Sequence, residues 1–340
     1  MRHPVRSLSQ QATLVIGALM LCALASLVVS GMTGSVAIPP AELLDALRLM
    51  MRGEAGTLAA SLLELRVGRA LTAFVTGGAL ALAGVMMQAL LRNPLADPYV
   101  LGVSAGASVG ALLALLLMAA AVVVDLSALG GAVAVSMLLY LLARRDLRSG
   151  LAAEGGSSML LLTGVILSSA CMALVTLMLS IAPEGRLRGM VFWMIGDLSG
   201  APVRLASWLV LGAALLYALR CARAMNIVAL HAESAATLGI RVGRLRKGLF
   251  LVSGVLTASA VTSAGSIGFV GLIVPHACRF AFGPDHRVLV PAAVLAGGSF
   301  LVLCDTLART VIAPQQLPVG AITAIIGAPV FLYQLHRLRR

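Results

Sequence analysis

Long apolar runs follow one another along the chain, separated by short clusters of arginine, proline and glycine. They cover residues 12–31, 66–91, 100–121, 124–143, 157–181, 203–221, 248–267, 269–280, 288–312 and 319–336. Each is continuous in Leu, Ala, Val and Gly, with no period-two alternation, which predicts helices and not the strands of an outer-membrane barrel. A helix needs roughly 20 apolar residues to cross a hydrocarbon core about 30 Å thick. The run 269–280 falls short, and Gly268, Gly271 and Pro275 punctuate it, so a half-length helix packed inside protein is expected there. The pattern predicts an all-α polytopic integral membrane protein of about ten transmembrane helices. Residues 1–340 would form a single transmembrane domain.

Two stretches between the runs have order of their own. In 32–65, Pro39-Pro40 and the following AELLDALRLMM predict a short amphipathic helix started by proline and ended near Gly53. In 222–247, MNIVALHAESAATLGI predicts a helix with Gly239 as its C-cap. Most Lys and Arg fall on one side if both termini are cytoplasmic, which places 222–247 inside and 32–65 outside. Arg2 and Arg6 precede the first run as in a signal peptide, but an uncleaved first helix is the expectation.

Composition agrees. The chain is 60% hydrophobic and 11% charged, with mean hydropathy +1.02, whereas soluble domains carry roughly 25% charged residues. The net charge of +12 lies in clusters between runs, and aromatics are only 4%. This excludes nucleic acid as a partner and leaves membrane lipid. The five cysteines lie mostly inside apolar runs and form no CxxC. The five histidines make no metal site; His276 and Cys278, two apart, point to nearly opposite sides of a helix. The one lysine, Lys247, belongs to no G-x-x-x-x-G-K-[ST], so the chain supplies no P-loop. No cofactor is expected in this chain, which reads as a non-enzyme.

Four local features carry candidate chemistry. Arg92-Asn93-Pro94-Leu95-Ala96-Asp97-Pro98 predicts a tight turn, with Asp97 as N-cap and Pro98 as first helical residue, or a rigid constriction at the mouth of a pathway. Gln88 before it reads as an interhelical amide, and the small residues Gly102 to Ser108 as a close helix crossing or, less commonly, the lining of a passage. The segment Glu233-Ser234-Ala235-Ala236-Thr237-Leu238-Gly239 suits a groove on another protein or a membrane surface. Arg66 and Arg69 start the second run on the outer side, against both the positive-inside bias and the helix dipole. Glu64 is their nearest neutraliser, and an external acidic partner explains them better. Arg309 has a similar setting, with Asp305 at i−4 to pair with it.

These residues bring a family into view. The segments 66–110 (RVGRALTAFVTGG to SAGASVG), 226–240 (NIVALHAESAATLGI), 265–280 (GSIGFVGLIVPHACRF) and 317–331 (LPVGAITAIIGAPVF) resemble the FecCD family, the permeases of ABC importers for ferric siderophores, haem and cobalamin. The resemblance implies a homodimer in the cell inner membrane. It also implies two cytosolic ATPase subunits that bind ATP and Mg, and a periplasmic substrate-binding protein. By position, it assigns Arg66, Arg69 and Arg309 to binding-protein docking. Asn93 and Leu95, with Ser157 and Ser158 before the fifth span, would form the cytoplasmic gates. Glu233, Ser234, Ala235, Ala236 and Gly239 would couple to the ATPase. Ala105 and Arg92 differ from the cobalamin permease pattern, and the expectation leans to haem. Two other readings stand beside this one: an ion-coupled secondary transporter, and a membrane-embedded enzyme drawing on Asp97, His276, Asp285 and His286.

Overall fold

The computed structural model describes residues 8–52, 56–148, 154–230, 235 and 237–338. Its helices are α1 (Leu8–Met32), α2 (Pro40–Arg52), α3 (Leu58–Leu91), α4 (Val103–Leu116), α5 (Ala121–Arg148) and α6 (Glu154–Ile181). They continue with α7 (Glu184–Ile195), α8 (Leu205–Leu230), α9 (Val242–Ala264), α10 (Val270–Phe282), α11 (His286–Thr310) and α12 (Val319–Leu338). A 3₁₀ turn, Pro98–Leu101, precedes α4. Among the described residues, seven helices, α1, α3, α5, α6, α8, α9 and α11, are long and apolar enough to span a membrane. The apolar helices α4 and α10 and the apolar part of α12 are shorter.

The central element is α3. Thr57 caps it, its Oγ1 accepting from the Ala60 N–H at 3.2 Å. At 1.5 Å per residue its 34 residues reach about 51 Å. It packs against α1, α2, α8, α9, α10 and α11, and 94% of its most apolar stretch is buried, against 17% for α6. Lipid chains are as apolar as leucine, so close packing and not hydrophobic burial must hold helices together inside a membrane. Glycine supplies that closeness. A Cβ built on Gly297 of α11 lies 2.6 Å from the Gly77 carbonyl oxygen of α3, so the two backbones touch. On Gly106 of α4 it lies 2.5 Å from the Gly131 carbonyl of α5, which gives the Gly102–Ser108 run its structural role.

Three boundaries depart from the hydropathy reading. α3 starts at Leu58 and not at 66, because backbone hydrogen bonding runs on through Glu64, Arg66 and Arg69 where hydropathy breaks off. The run 100–121 is split: Gly102 is left-handed at φ +72°, so α4 begins only at Val103. The run pattern also missed α7, whose Arg186 and Arg188 interrupt its apolar residues.

Candidate functional site

The turn after α3 is built as its residue types dictate. Arg92 is left-handed (φ +50°), and the Asn93 N–H returns to the Gln88 carbonyl at 3.2 Å, closing the helix as a Schellman motif with arginine in place of glycine. Asn93 Oδ1 accepts from the Leu95 N–H at 2.9 Å, leaving the Leu95 side chain 40% exposed. Asp97 accepts from the Tyr99 N–H at 2.7 Å with Pro98 at the first turn position. Gln88 bridges α3 to α10: Nε2 donates to the Leu272 carbonyl (3.3 Å) and Oε1 accepts from Arg279 (2.9 Å).

Opposite this turn, residues 265–269 leave helical geometry between α9 and α10. Phe269 is left-handed at φ +71°, an uncommon conformation for a bulky residue. Irregular backbone inside an apolar bundle must find partners within the protein. Here the Tyr99 hydroxyl donates to the Ile267 carbonyl and accepts from the Ile267 N–H, both at 3.0 Å. Ser104 Oγ meets Ser266 Oγ at 2.7 Å, and Thr323 Oγ1 of α12 donates to the Gly268 carbonyl at 3.1 Å. Tyr99, Phe269 and Thr323 were missed by sequence reasoning; Gly265 and Gly268 were the available signal for the break.

Between turn and break lies a cleft of about 550 Å³, lined by Asp97, Tyr99, Val165, Ser168, Phe269 and Leu272 among others. It is open to the outside of the chain. Its α6 wall belongs to the helix that carries Ser157 and Ser158. Those serines lie in the first turns of the helix, just before its membrane-spanning stretch Met159–Ile181.

At the other end of α3, the three arginines converge for reasons internal to the chain. Arg66 is 6% exposed and donates to the carbonyls of Met32 (3.3 Å) and Val36. Arg309 is 5% exposed and donates to the Ser30 carbonyl (3.2 Å) and Ser30 Oγ (2.8 Å). Two cations thus hold the C-terminal carbonyls of α1, the negative end of its dipole. Arg69 pairs with the fully buried Asp305 at 2.8 Å, and Arg309 Nε lies 3.1 Å from the same carboxylate. The pairing expected for Asp305 at i−4 is present, and no Glu64 ion pair with either arginine is found among the described residues. Nor do Arg66 and Arg69 sit at a helix N-terminus, since α3 begins two turns earlier. Arg69 Nη1 alone reaches the exposed edge, donating to Gln316 Oε1 at 2.8 Å and Ser199 Oγ at 3.2 Å.

The coupling segment is described only in part: Glu233, Ser234 and Ala236 lie outside the described residues. Ala235 is fully buried within the chain, so its methyl does not face a partner; the exposed apolar side chain is Leu238, at 66%. Gly239 is left-handed (φ +78°), and the Ile240 N–H returns to the Ala235 carbonyl at 3.0 Å, the helix stop that its position predicts.

Comparison with known proteins follows the same lines. A family model described as the FecCD transport family matches residues 19–337. The vitamin B12 import system permease of Escherichia coli O9:H4 is 40% identical over 282 residues, covering 82% of this chain and 84% of that one. The cobalamin import system permease of Halobacterium salinarum is 42% identical over 282 residues, covering 80% and 72%. A solved structure described as an inward-facing conformation of a metal-chelate type ABC transporter superposes with TM-score 0.79 at 28% identity, covering 95% of this chain and 99% of that one.

Proposed function

The chain belongs to the FecCD transport family, and from that premise we propose that it is the membrane-spanning permease of an ATP-driven importer for cobalamin or a closely similar metal chelate. The expected lean towards haem is dropped. The relatives at 40–42% identity are named for vitamin B12 and cobalamin, and the differences at Ala105 and Arg92 do not outweigh identity over 282 residues.

The observation that carries the reading is the half-built cleft beside Asn93–Asp97. One chain supplies the turn, the break at 265–269 and the α6 wall, and leaves the rest open. A second copy facing the exposed apolar side of α6 (Leu162, Val165, Ile166, Met172) would close it into a pathway. In this reading about ten spans sit in the inner membrane, with α4, α10 and α12 buried against the longer helices. Both termini and 222–247 are cytoplasmic, and 32–65 is periplasmic. Leu95, Asn93 and the start of α6 at Ser157 and Ser158 would narrow the inner mouth. Leu238 would seat the coupling segment on an ATPase subunit that binds ATP and Mg. The outer edge at Arg69, Ser199 and Gln316 would receive an acidic patch of the binding protein, with Arg66 and Arg309 as its buried supports.

An ion-coupled carrier is less favoured. Its intramembrane carboxylates would need freedom to take up an ion, yet Asp305 holds two arginines and Asp125 holds Arg204. The test of subunit role is hydrolysis. The purified chain should turn over no ATP, the complex with its ATPase should, and the binding protein should stimulate it. Hydrolysis by the chain alone would refute the assignment.

A further inference from the structure

Asn226, near the end of α8, uses both ends of its carboxamide on the N-terminus of α11. Nδ2 donates to Asp285 Oδ1 at 2.7 Å. Oδ1 accepts from the His286 backbone N–H at 2.9 Å and from His286 Nδ1 at 2.6 Å. Chemistry fixes this orientation: turned over, the amide would set its NH₂ against the His286 backbone N–H and its oxygen against a carboxylate. Asp285 is itself the N-cap of α11, accepting from the Arg287 N–H at 2.9 Å. The clasp therefore grips the first turn of α11 through its cap and backbone, not through one swinging side chain.

What lies at each end of this connection gives it meaning. On one side, α8 ends at Leu230, nine residues before Gly239, which closes the coupling segment in the sequence. On the other, α11 runs unbroken for 25 residues, about 37 Å. Its middle is pressed against α3 at Gly77 and Gly297, and its far end carries Asp305 between Arg69 and Arg309. Pro291 removes one ladder bond of α11 about a turn from the clasp, so bending concentrates there and the longer remainder moves as one piece.

We propose that Asn226 is a positioning residue, and that its clasp makes α11 the rod carrying movement of the coupling segment to the Asp305 ion cluster at the opposite membrane face. This rests on the permease reading above. Motion of the α8 end would shift α11 along α3 and disturb the paired arginines beneath the docking edge. The same path in reverse would report a docked binding protein to the ATPase.

The test is cobalamin taken up per ATP hydrolysed, measured on the full complex with ATPase and binding protein in proteoliposomes. Asn226→Asp sets two carboxylates face to face, and this ratio should fall about tenfold, the factor one ordinary net hydrogen bond represents. Adding Asp285→Asn should recover part of it, at least about threefold, because the new amide nitrogen donates to the carboxylate at 226, although it replaces the one oxygen that also capped Arg287. Global stability, read by thermal unfolding, should not track the ratio. Should Asn226→Asp fail to assemble, Asn226→Ala takes its place against the same double variant. A wild-type ratio in the single variant, or no recovery in the double, overturns the proposal. Absence of cobalamin uptake by the wild-type complex would instead refute the cobalamin reading on which the proposal rests.

Discussion

Gly77 and Gly297 meet backbone to backbone where α3 and α11 cross, with no room on either for a single methyl group. In a membrane this contact cannot be replaced by generic apolar burial, since lipid offers the same surroundings to a separated helix. Gly297→Val should therefore force the helices apart and destabilise the protein by about 1–3 kcal/mol. Gly212→Val, on α8 with open space around its α-carbon, should be nearly neutral by this criterion. Thermal unfolding in detergent would check the pair, and equal midpoints would remove the crossing from the account.

The second prediction concerns buried charge. Asp305→Asn leaves Arg69 and Arg309 without their shared, fully buried carboxylate, a loss of roughly 3–5 kcal/mol. The side chains of Asp45 and Arg48 pair at 3.2 Å while 73% and 70% exposed, so Asp45→Asn should cost at most about 1 kcal/mol. Comparing the two unfolding midpoints tests whether Asp305 organises this end of the bundle.

A third prediction follows from the break at 265–269. Tyr99→Phe strips the hydroxyl from the buried Ile267 N–H and carbonyl, leaving both unsatisfied at a cost of about 1–3 kcal/mol. Amide hydrogen exchange at Ile267 should accelerate while exchange in central α3 stays slow. Unchanged protection at Ile267 would show that other groups hold the break.

Most of the spans were legible because a helix in lipid must be apolar along its length, and hydropathy reports that directly. The turn at Asn93–Pro98 and the stop at Gly239 were legible too, because Asp, Pro and left-handed Gly each have a local mechanical reason to be where they are. The arginines were not. Their expected outward placement invited an external partner, but hydropathy cannot show that α3 begins at Leu58 or that the end of α1 comes back to meet Arg66 and Arg309. Ala235 failed similarly, because an alanine-rich face fits a partner's groove and the chain's own core equally well. Tyr99 and Thr323 serve backbone that is distant in sequence, and nothing local announces that.

Docking gives the fourth prediction, and burial decides which residue to change. Arg66→Glu would unseat α1 and lose the fold, so its effect on docking would say nothing about charge. Gln316→Glu places a negative charge beside Arg69 Nη1 at the exposed edge without uncovering a buried ion. It should weaken binding-protein affinity by about 0.2–1 kcal/mol, with wild-type affinity falling as salt is raised. Salt-independent docking unaffected by Gln316→Glu would move the binding surface elsewhere.

The central claim is met most directly by one measurement: ATP-dependent uptake into proteoliposomes holding this chain with its ATPase and binding protein, with cobalamin, haem and a ferric siderophore supplied in turn. The account predicts that cobalamin accumulates, that accumulation stops when ATP is withheld, and that haem and the siderophore compete poorly. Accumulation of haem or siderophore in preference to cobalamin, or uptake of any of them driven by an ion gradient without ATP, would contradict it.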